Sequence, residues 1–261
     1  MTRGLAGLRV VVTRPQVQSD ALFKQLCLAG AIPILFPVIT IAPPEAGGAL
    51  DQAIRRLHEY NWIVFTSVNG VEQFRRRLVD VLGVSHAELR GVPGFAGKVA
   101  AIGPKTAEAL QRYGIEVNVL PNKYRAEAIL DVIGEVRGQR ILLPRADIAR
   151  AELAKELRAR GAIVEEVAAY RTLPSVPPPA AFEQLRQGVD VITFTSSSTV
   201  RHFVALTQGM DYGDPLIACI GPVTAETARQ LGLRVDVVAD EYTVDGLLRA
   251  LRVWKDNHPS N

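Results

Sequence analysis

Cysteine, histidine and long apolar runs are scarce in this chain of 261 residues, and each shortage closes off a class of function. The two cysteines, Cys27 and Cys219, stand far apart and frame no disulfide scaffold. Both are expected as small buried hydrophobes in a reducing, cytoplasmic setting. The four histidines, His58, His86, His202 and His258, lack metal-ligand spacing, so no metal site is expected. No stretch approaches membrane-spanning length and the opening residues carry no signal-peptide core, so no membrane association is expected. Basic blocks are missing too. Arg75-Arg76-Arg77 is the only run of three, it reads as a solvated helix face, and no nucleic-acid partner is expected. There is no Gly-x-Gly-x-x-Gly, no Gly-x-x-x-x-Gly-Lys and no Gly-x-Ser-x-Gly, which removes dinucleotide, P-loop and α/β-hydrolase chemistry. No cofactor is expected.

What the chain has is a duplication. Residues 102–130 align without a gap to 220–248, with 11 of 29 positions identical. Phe65-Thr66-Ser67 and Phe74 echo Phe194-Thr195-Ser196 and Phe203 at an offset of 129, and Gly30-Ala31 echoes Gly161-Ala162 at an offset of 131. A long unit present twice points to two similar domains and not to a solenoid. A cleft between two such domains is a usual place for a small ligand. The net charge of +3 gives a mild positive field that favours an anionic one.

Short β-rich runs alternate with helical patterns in each copy. Strands are expected at 8–12, 32–41 (interrupted by Pro33 and Pro37), 62–65, 99–102 and 117–119. Helices are expected at 16–29, with Leu22, Leu26 and Leu28 on one face, and at 49–58, 71–82, 104–113 and 126–136. The series restarts at Arg140, and the tail 252–261 is expected to be disordered. Strand-helix-strand at this spacing predicts α/β domains, each a doubly wound, flavodoxin-like parallel sheet. Pro-rich segments at 39–48 and 170–180 occupy equivalent places and read as inter-domain connections. A cut at Gly138 is the simplest alternative, but it leaves both segments inside a unit without a reason.

Four kinds of turn could carry chemistry. Gly103-Pro104-Lys105-Thr106 and Gly221-Pro222-Val223-Thr224 each follow a strand and open a helix. Their first amides can bind carboxylate, with Thr106 and Thr224 as extra donors, or the threonines can simply cap their own helices. Ser67-Val68-Asn69-Gly70 and Ser196-Ser197-Ser198 supply further donors without bulk. Thr13-Arg14 closes the first strand and Arg145 is the matching arginine; each arginine is either a carboxylate clamp or a salt-bridge partner. Tyr170 faces no phenol in the other copy, where Ile39 stands, and it can serve as a proton donor or as an interface anchor.

Taken in order, Val12-Thr13-Arg14-Pro15, Phe65 to Val71, both Gly-Pro-x-Thr-Ala turns, Tyr170-Arg171 and Phe194 to Ser198 resemble the uroporphyrinogen-III synthase family, over about residues 8–251. The resemblance implies a cofactor-free lyase that closes the linear tetrapyrrole hydroxymethylbilane to uroporphyrinogen III with loss of water. It implies inversion of the last ring through a spiro intermediate. It also implies a discontinuous domain of residues 1–38 plus 173–261 and an inserted domain of 41–168. Two strands would join them as hinges at 38–44 and 169–178, with the active site in the cleft. Tyr170 would assist departure of the hydroxyl, and Thr106 and Thr224 would line the cleft. A monomer is expected, with transient contact to the preceding pathway enzyme. A non-catalytic two-domain sensor of an anionic molecule is the alternative, and it would not turn the substrate over.

Overall fold

The computed structural model describes residues 4–85, 91–122, 126–148 and 151–258. In chain order, β1 (Arg9–Val12), α1 (Gln16–Leu28) and β2 (Ile32–Leu35) lead into β3 (Ile39–Ala42). Then follow α2 (Ala49–Arg55), β4 (Trp62–Phe65), α3 (Val68–Leu82), β5 (Lys98–Ala101) and α4 (Pro104–Arg112). Next come β6 (Arg140–Ala146), α5 (Glu152–Ala159) and the long β7 (Ile163–Pro174). The last third holds α6 (Pro179–Arg186), β8 (Val191–Phe194), α7 (Ser197–Leu206), β9 (Leu216–Cys219), α8 (Pro222–Gln230), β10 (Val237–Val238) and α9 (Val244–Asn257).

The chain forms two compact units. One holds the chain up to Thr40 together with Leu173 onward, and the other holds Ile41–Thr172. The discontinuous unit has strand order β10-β9-β8-β1-β2, and every neighbouring pair is parallel. Read along its own chain this is the flavodoxin order 2-1-3-4-5. The inserted unit has order β3-β7-β6-β4-β5. Its strands β7-β6-β4-β5 follow 2-1-3-4 of that scheme, with β6 and β7 last in the chain, so this part is circularly permuted relative to its neighbour, and β3 is an added edge strand. Each repeat copy therefore gives its opening strand-helix-strand to the unit built from the rest of the other copy.

The central strands β4, β8 and β9 are buried along their whole length, as parallel strands covered on both faces must be. The duplicated phenylalanines give each unit the same core joint. Phe65 and Phe74 meet edge-to-face with ring centroids 5.3 Å apart, and Phe194 and Phe203 do so at 5.4 Å. Asn118 and its counterpart Asp236 also match. Each side chain accepts from the backbone of the neighbouring strand, at Val99 (2.7 Å) and Ile217 (2.9 Å).

Several expectations need correction. Pro37 divides the expected second strand into β2 and β3, whereas Pro33 lies inside β2, an edge strand that tolerates its missing donor. Val117–Val119 makes only an isolated bridge, Val119 to Ala100. The expected helix over 126–136 is a short 3-10 helix, Ala126–Asp131, and Gly134 at φ +79° cannot continue it. Leu28 is 82% exposed and Cys27 is exposed, because Leu22, Leu26 and Ala29 set the buried face of α1. Cys219 is buried, which pushes its thiol up to about 12. The basic run is not a solvated face. Arg75 is buried with its guanidinium 4.2 Å from the Tyr113 ring centroid, and Arg77 pairs with Asp51 and Asp80; only Arg76 is exposed. Residues 252–257 are helical, since α9 runs to Asn257. His86 and residues 259–261 lie outside the described residues. Among the described residues no group could hold a metal ion, and no helix is long and apolar enough to cross a membrane.

Candidate active site

The carboxyl ends of both sheets carry the turns picked out in the sequence. In the inserted unit, the Ser67 turn follows β4 and the Gly103 turn follows the adjacent β5. Ser67 caps α3, accepting from the Gly70 amide at 3.1 Å. Gly70 fits close under the end of β6, where a Cβ would come 3.0 Å from the Pro144 carbonyl oxygen.

Tyr170 reaches this turn because of an irregularity. Arg145 pairs with Ala168 but Ala146 pairs with Tyr170, so the β6–β7 register slips by one residue. Ala169 and Tyr170 are consequently both buried, although a regular strand would send neighbours to opposite faces. The Tyr170 phenol is 8% exposed and lies 3.2 Å from the Ser67 hydroxyl. Burial raises its pKa above the usual tyrosine value; hydrogen bonds from Ser67 and Asn69 offset part of that, and Asp147 adds to it. Asp147 was not singled out in the sequence. Its amide donates to the Tyr170 carbonyl at 3.1 Å, and its Oδ1 accepts from Thr172 at 3.1 Å, which fixes the bulge. A short acid just past a strand end is the signal that could have found it.

The Gly-Pro turns open α4 and α8 as expected, with Gly103 and Gly221 as N-caps, Pro at the first helical position, and no side-chain cap. Thr106 and Thr224 are thus not the caps of their own helices. Both are buried, at 6% and 4% exposed. Lys105 pairs with Glu108 at the surface.

In the discontinuous unit, Ser196 caps α7 in a capping box with Thr199, which stands where the other unit has Gly70. The Ser197 hydroxyl is 2.7 Å from that of Thr227 on α8, joining the two helices. Ser198 lies in the first turn of α7. Thr13 does not present its hydroxyl to a ligand. It is fully buried and donates to the Thr193 carbonyl at 2.7 Å, while Thr193 donates to Val11 at 2.7 Å.

The two equivalent arginines differ. Arg145 is buried and ion-paired with Glu166, so it is a salt-bridge partner and not an open clamp. Arg14 has no acidic partner among the described residues. Its Nη2 is 3.4 Å from Gln18 Oε1, its Nε is buried without a hydrogen bond, and burial holds its pKa below the usual arginine value. It stays protonated at neutral pH.

Fold and site together define a protein of two doubly wound α/β units, each lined at its carboxyl edge by backbone donors and hydroxyls, with the buried Tyr170 phenol at the edge of one. The chain belongs to the uroporphyrinogen-III synthase family: the profile described as uroporphyrinogen-III synthase HemD matches residues 20–249. A uroporphyrinogen-III synthase from Synechococcus elongatus is 36% identical, with 96% of each chain covered. The porphyrin biosynthesis protein HemD of Ruminiclostridium josui is 30% identical over 96% of this chain, which spans 49% of that longer protein. Among solved structures, a mutant uroporphyrinogen III synthase from the extremely thermophilic bacterium Thermus thermophilus shares the fold, with a TM-score of 0.65 and 21% identity over 97% of this chain and 100% of that one.

Proposed function

We propose that this protein closes hydroxymethylbilane to uroporphyrinogen III, without metal or organic cofactor, as a water-releasing lyase. The observation that carries the reading is the buried Tyr170 phenol held at 3.2 Å from the Ser67 hydroxyl, at the mouth of an α/β sheet. The first step breaks the C–O bond of the substrate's hydroxymethyl group. The pyrrole nitrogen pushes electrons, and the hydroxyl leaves as water once it has gained a proton. Tyr170 assists by hydrogen bonding and partial proton transfer. As its O–H shifts toward the leaving oxygen, Ser67 donates to the phenol oxygen and stabilises the developing charge. The Ser67 oxygen already accepts from Gly70, so its own proton is available for this.

The substrate carries eight carboxylates. Helix N-terminal amides at Gly103 and Gly221, with Thr106 and Thr224, suit such a ligand because they bind anions without burying many full charges. Ser196, Ser197 and Ser198 contribute at the matching turn. Arg14 is the cation best placed to pair with a carboxylate, since its charge is otherwise unmatched. The connections at 38–44 and 169–178 act as hinges. Incubation of the purified protein with hydroxymethylbilane, followed by separation of the cyclic isomers, tests the reading. The type III isomer is expected to dominate; finding only the non-inverted isomer at saturating enzyme overturns it.

A further inference from the structure

The turn that opens α8 is covered by an aromatic ring that the reaction chemistry leaves unused. A Cβ placed on Gly221 would lie 2.9 Å from Cδ1 and 3.2 Å from Cγ of Tyr242, so the ring packs directly on the Gly221 backbone. Only glycine leaves room for it. Tyr242 nevertheless stays 51% exposed, so one part of the ring rests on the turn and the rest is open to a ligand.

The loop that presents the ring is tightly held. It follows β10, the strand next to β9, so Tyr242 and Gly221 leave the same edge of the sheet. Thr243 caps α9 by accepting from the Gly246 amide at 3.0 Å. Gly246 itself admits the Glu241 carbonyl where any Cβ would collide. Arg249 grips the Glu241 carboxylate with two bonds, of 2.7 and 3.2 Å. These bonds fix the backbone next to Tyr242 and so set where its ring is presented.

Two further observations point to a ligand. Thr224, in the first turn of the same helix, is only 4% exposed, and its hydroxyl has no hydrogen bond among the described residues. Val223 beside it is 48% exposed. An apolar lip thus borders a set of polar donors. The repeat adds a third point. Tyr124 occupies the position of Tyr242 in the first copy, and it is one of the 11 identities among 29 aligned positions. The cap and the close-approach glycine did not survive in that copy, where Arg125 and Ala128 stand, but the tyrosine did.

We propose that Tyr242 is a positioning residue whose ring stacks on a pyrrole of the substrate while the Gly221 turn and Thr224 hold a carboxylate of that same ring. A pyrrole bearing acid side chains has an apolar face and an anionic rim, which matches an exposed aromatic ring set against helix N-terminal donors. The proposal rests on the synthase reading above.

Steady-state turnover of freshly generated hydroxymethylbilane by wild type, Tyr242→Phe, Tyr242→Leu and Tyr242→Ala tests it, with thermal melting of each variant alongside. Tyr242→Phe keeps the ring and is expected to match the wild type within about 2-fold. Tyr242→Leu still covers Gly221 but lacks a flat π face. Its KM is expected to rise about 10-fold, the scale of one aromatic contact, with kcat changed far less and melting unchanged. Tyr242→Ala is expected to raise KM at least as much. Wild-type turnover together with an unaltered KM in Tyr242→Leu overturns the stacking role and leaves the synthase reading standing. Loss of activity in Tyr242→Phe equal to that in Tyr242→Leu also overturns it, since the hydroxyl and not the ring would then matter. Absence of turnover in the wild type overturns the synthase reading and this inference with it.

Discussion

The Tyr170 phenol meets the Ser67 hydroxyl at 3.2 Å only because the β6–β7 register slips between Arg145 and Ala146. A strand without that slip would turn Tyr170 to the side that Ala168 occupies, which is exposed. The contact therefore joins a backbone irregularity to the proposed proton donor.

Tyr170→Phe removes one oxygen and keeps the ring. Turnover is expected to fall about 10²-fold, at the lower end of general-acid assistance because the substrate loses water readily. Melting should barely change. Burial raises the phenol's pKa, so the group stays protonated up to at least its ordinary value of about 10. The wild-type rate should therefore show no loss from this residue between neutrality and about pH 10. A Tyr170→Phe variant that matches the wild type in single-turnover measurements makes the phenol structural.

Ser67 and Ser196 are equivalent caps, but only Ser67 touches the phenol. Ser67→Ala and Ser196→Ala are each expected to cost about 1 kcal/mol of stability. Only Ser67→Ala should also lower kcat. Urea unfolding paired with turnover separates the two effects, and an equal loss of kcat in both variants contradicts the mechanism.

How much of this was legible in the sequence depends on the kind of signal. The Gly-Pro turns were readable because each residue has one physical meaning at a helix start. The bulge under Tyr170 was not, since Val167-Ala168-Ala169-Tyr170 is an unbroken apolar run that shows no alternation from which a slip could be noticed. Arg75-Arg76-Arg77 reads as a charged face because a run of like charge carries no direction. On α3, Arg75 lies one position from Phe74 and four from Val79, both buried, and so enters the core side of the helix. Thr13 misled because a threonine at a strand end satisfies a neighbouring carbonyl as readily as a ligand.

Thr106→Val and Thr224→Val remove hydroxyls proposed to bind carboxylates. Each is expected to raise KM about 10-fold, the lower end for hydrogen bonds to charged groups, with kcat less affected. A drop in kcat with KM unchanged would assign these hydroxyls to the chemical step instead.

Asp51 is buried, pairs with Arg77 and accepts from the Gly47 amide at 2.6 Å. The Arg77 guanidinium holds its carboxyl below the usual carboxylate range. A depressed folded-state pKa means the contribution is full above the unfolded value of about 4 and is lost as pH falls through the folded value. Asp51→Asn should cost about 2–3 kcal/mol at pH 7, less than a fully isolated pair because Asp80 still engages Arg77. The gap between wild type and variant should narrow in acid, as measured by denaturant melts across pH 3–7.

The paired phenylalanines allow the two units to be compared. Phe74→Ala and Phe203→Ala should each cost about 3–5 kcal/mol. Phe203 also meets Phe36 and Tyr212, each with ring centroids 5.6 Å away, so its loss should be the larger. If the units unfold separately, each substitution should shift only the transition of its own unit.

The exchange of opening strands between the repeat copies bears on how the chain is made. During synthesis the inserted unit has all its strands once Pro174 has emerged, and it can fold while the remainder is still being translated. β1 and β2, though made long before it, must wait for β8, which begins at Val191. Until then the β1 edge that later receives β8 has no partner, and it is apolar. β1 and β2 are thus among the last strands to find their place, and the newborn chain carries an open edge until its own delayed half arrives to cover it.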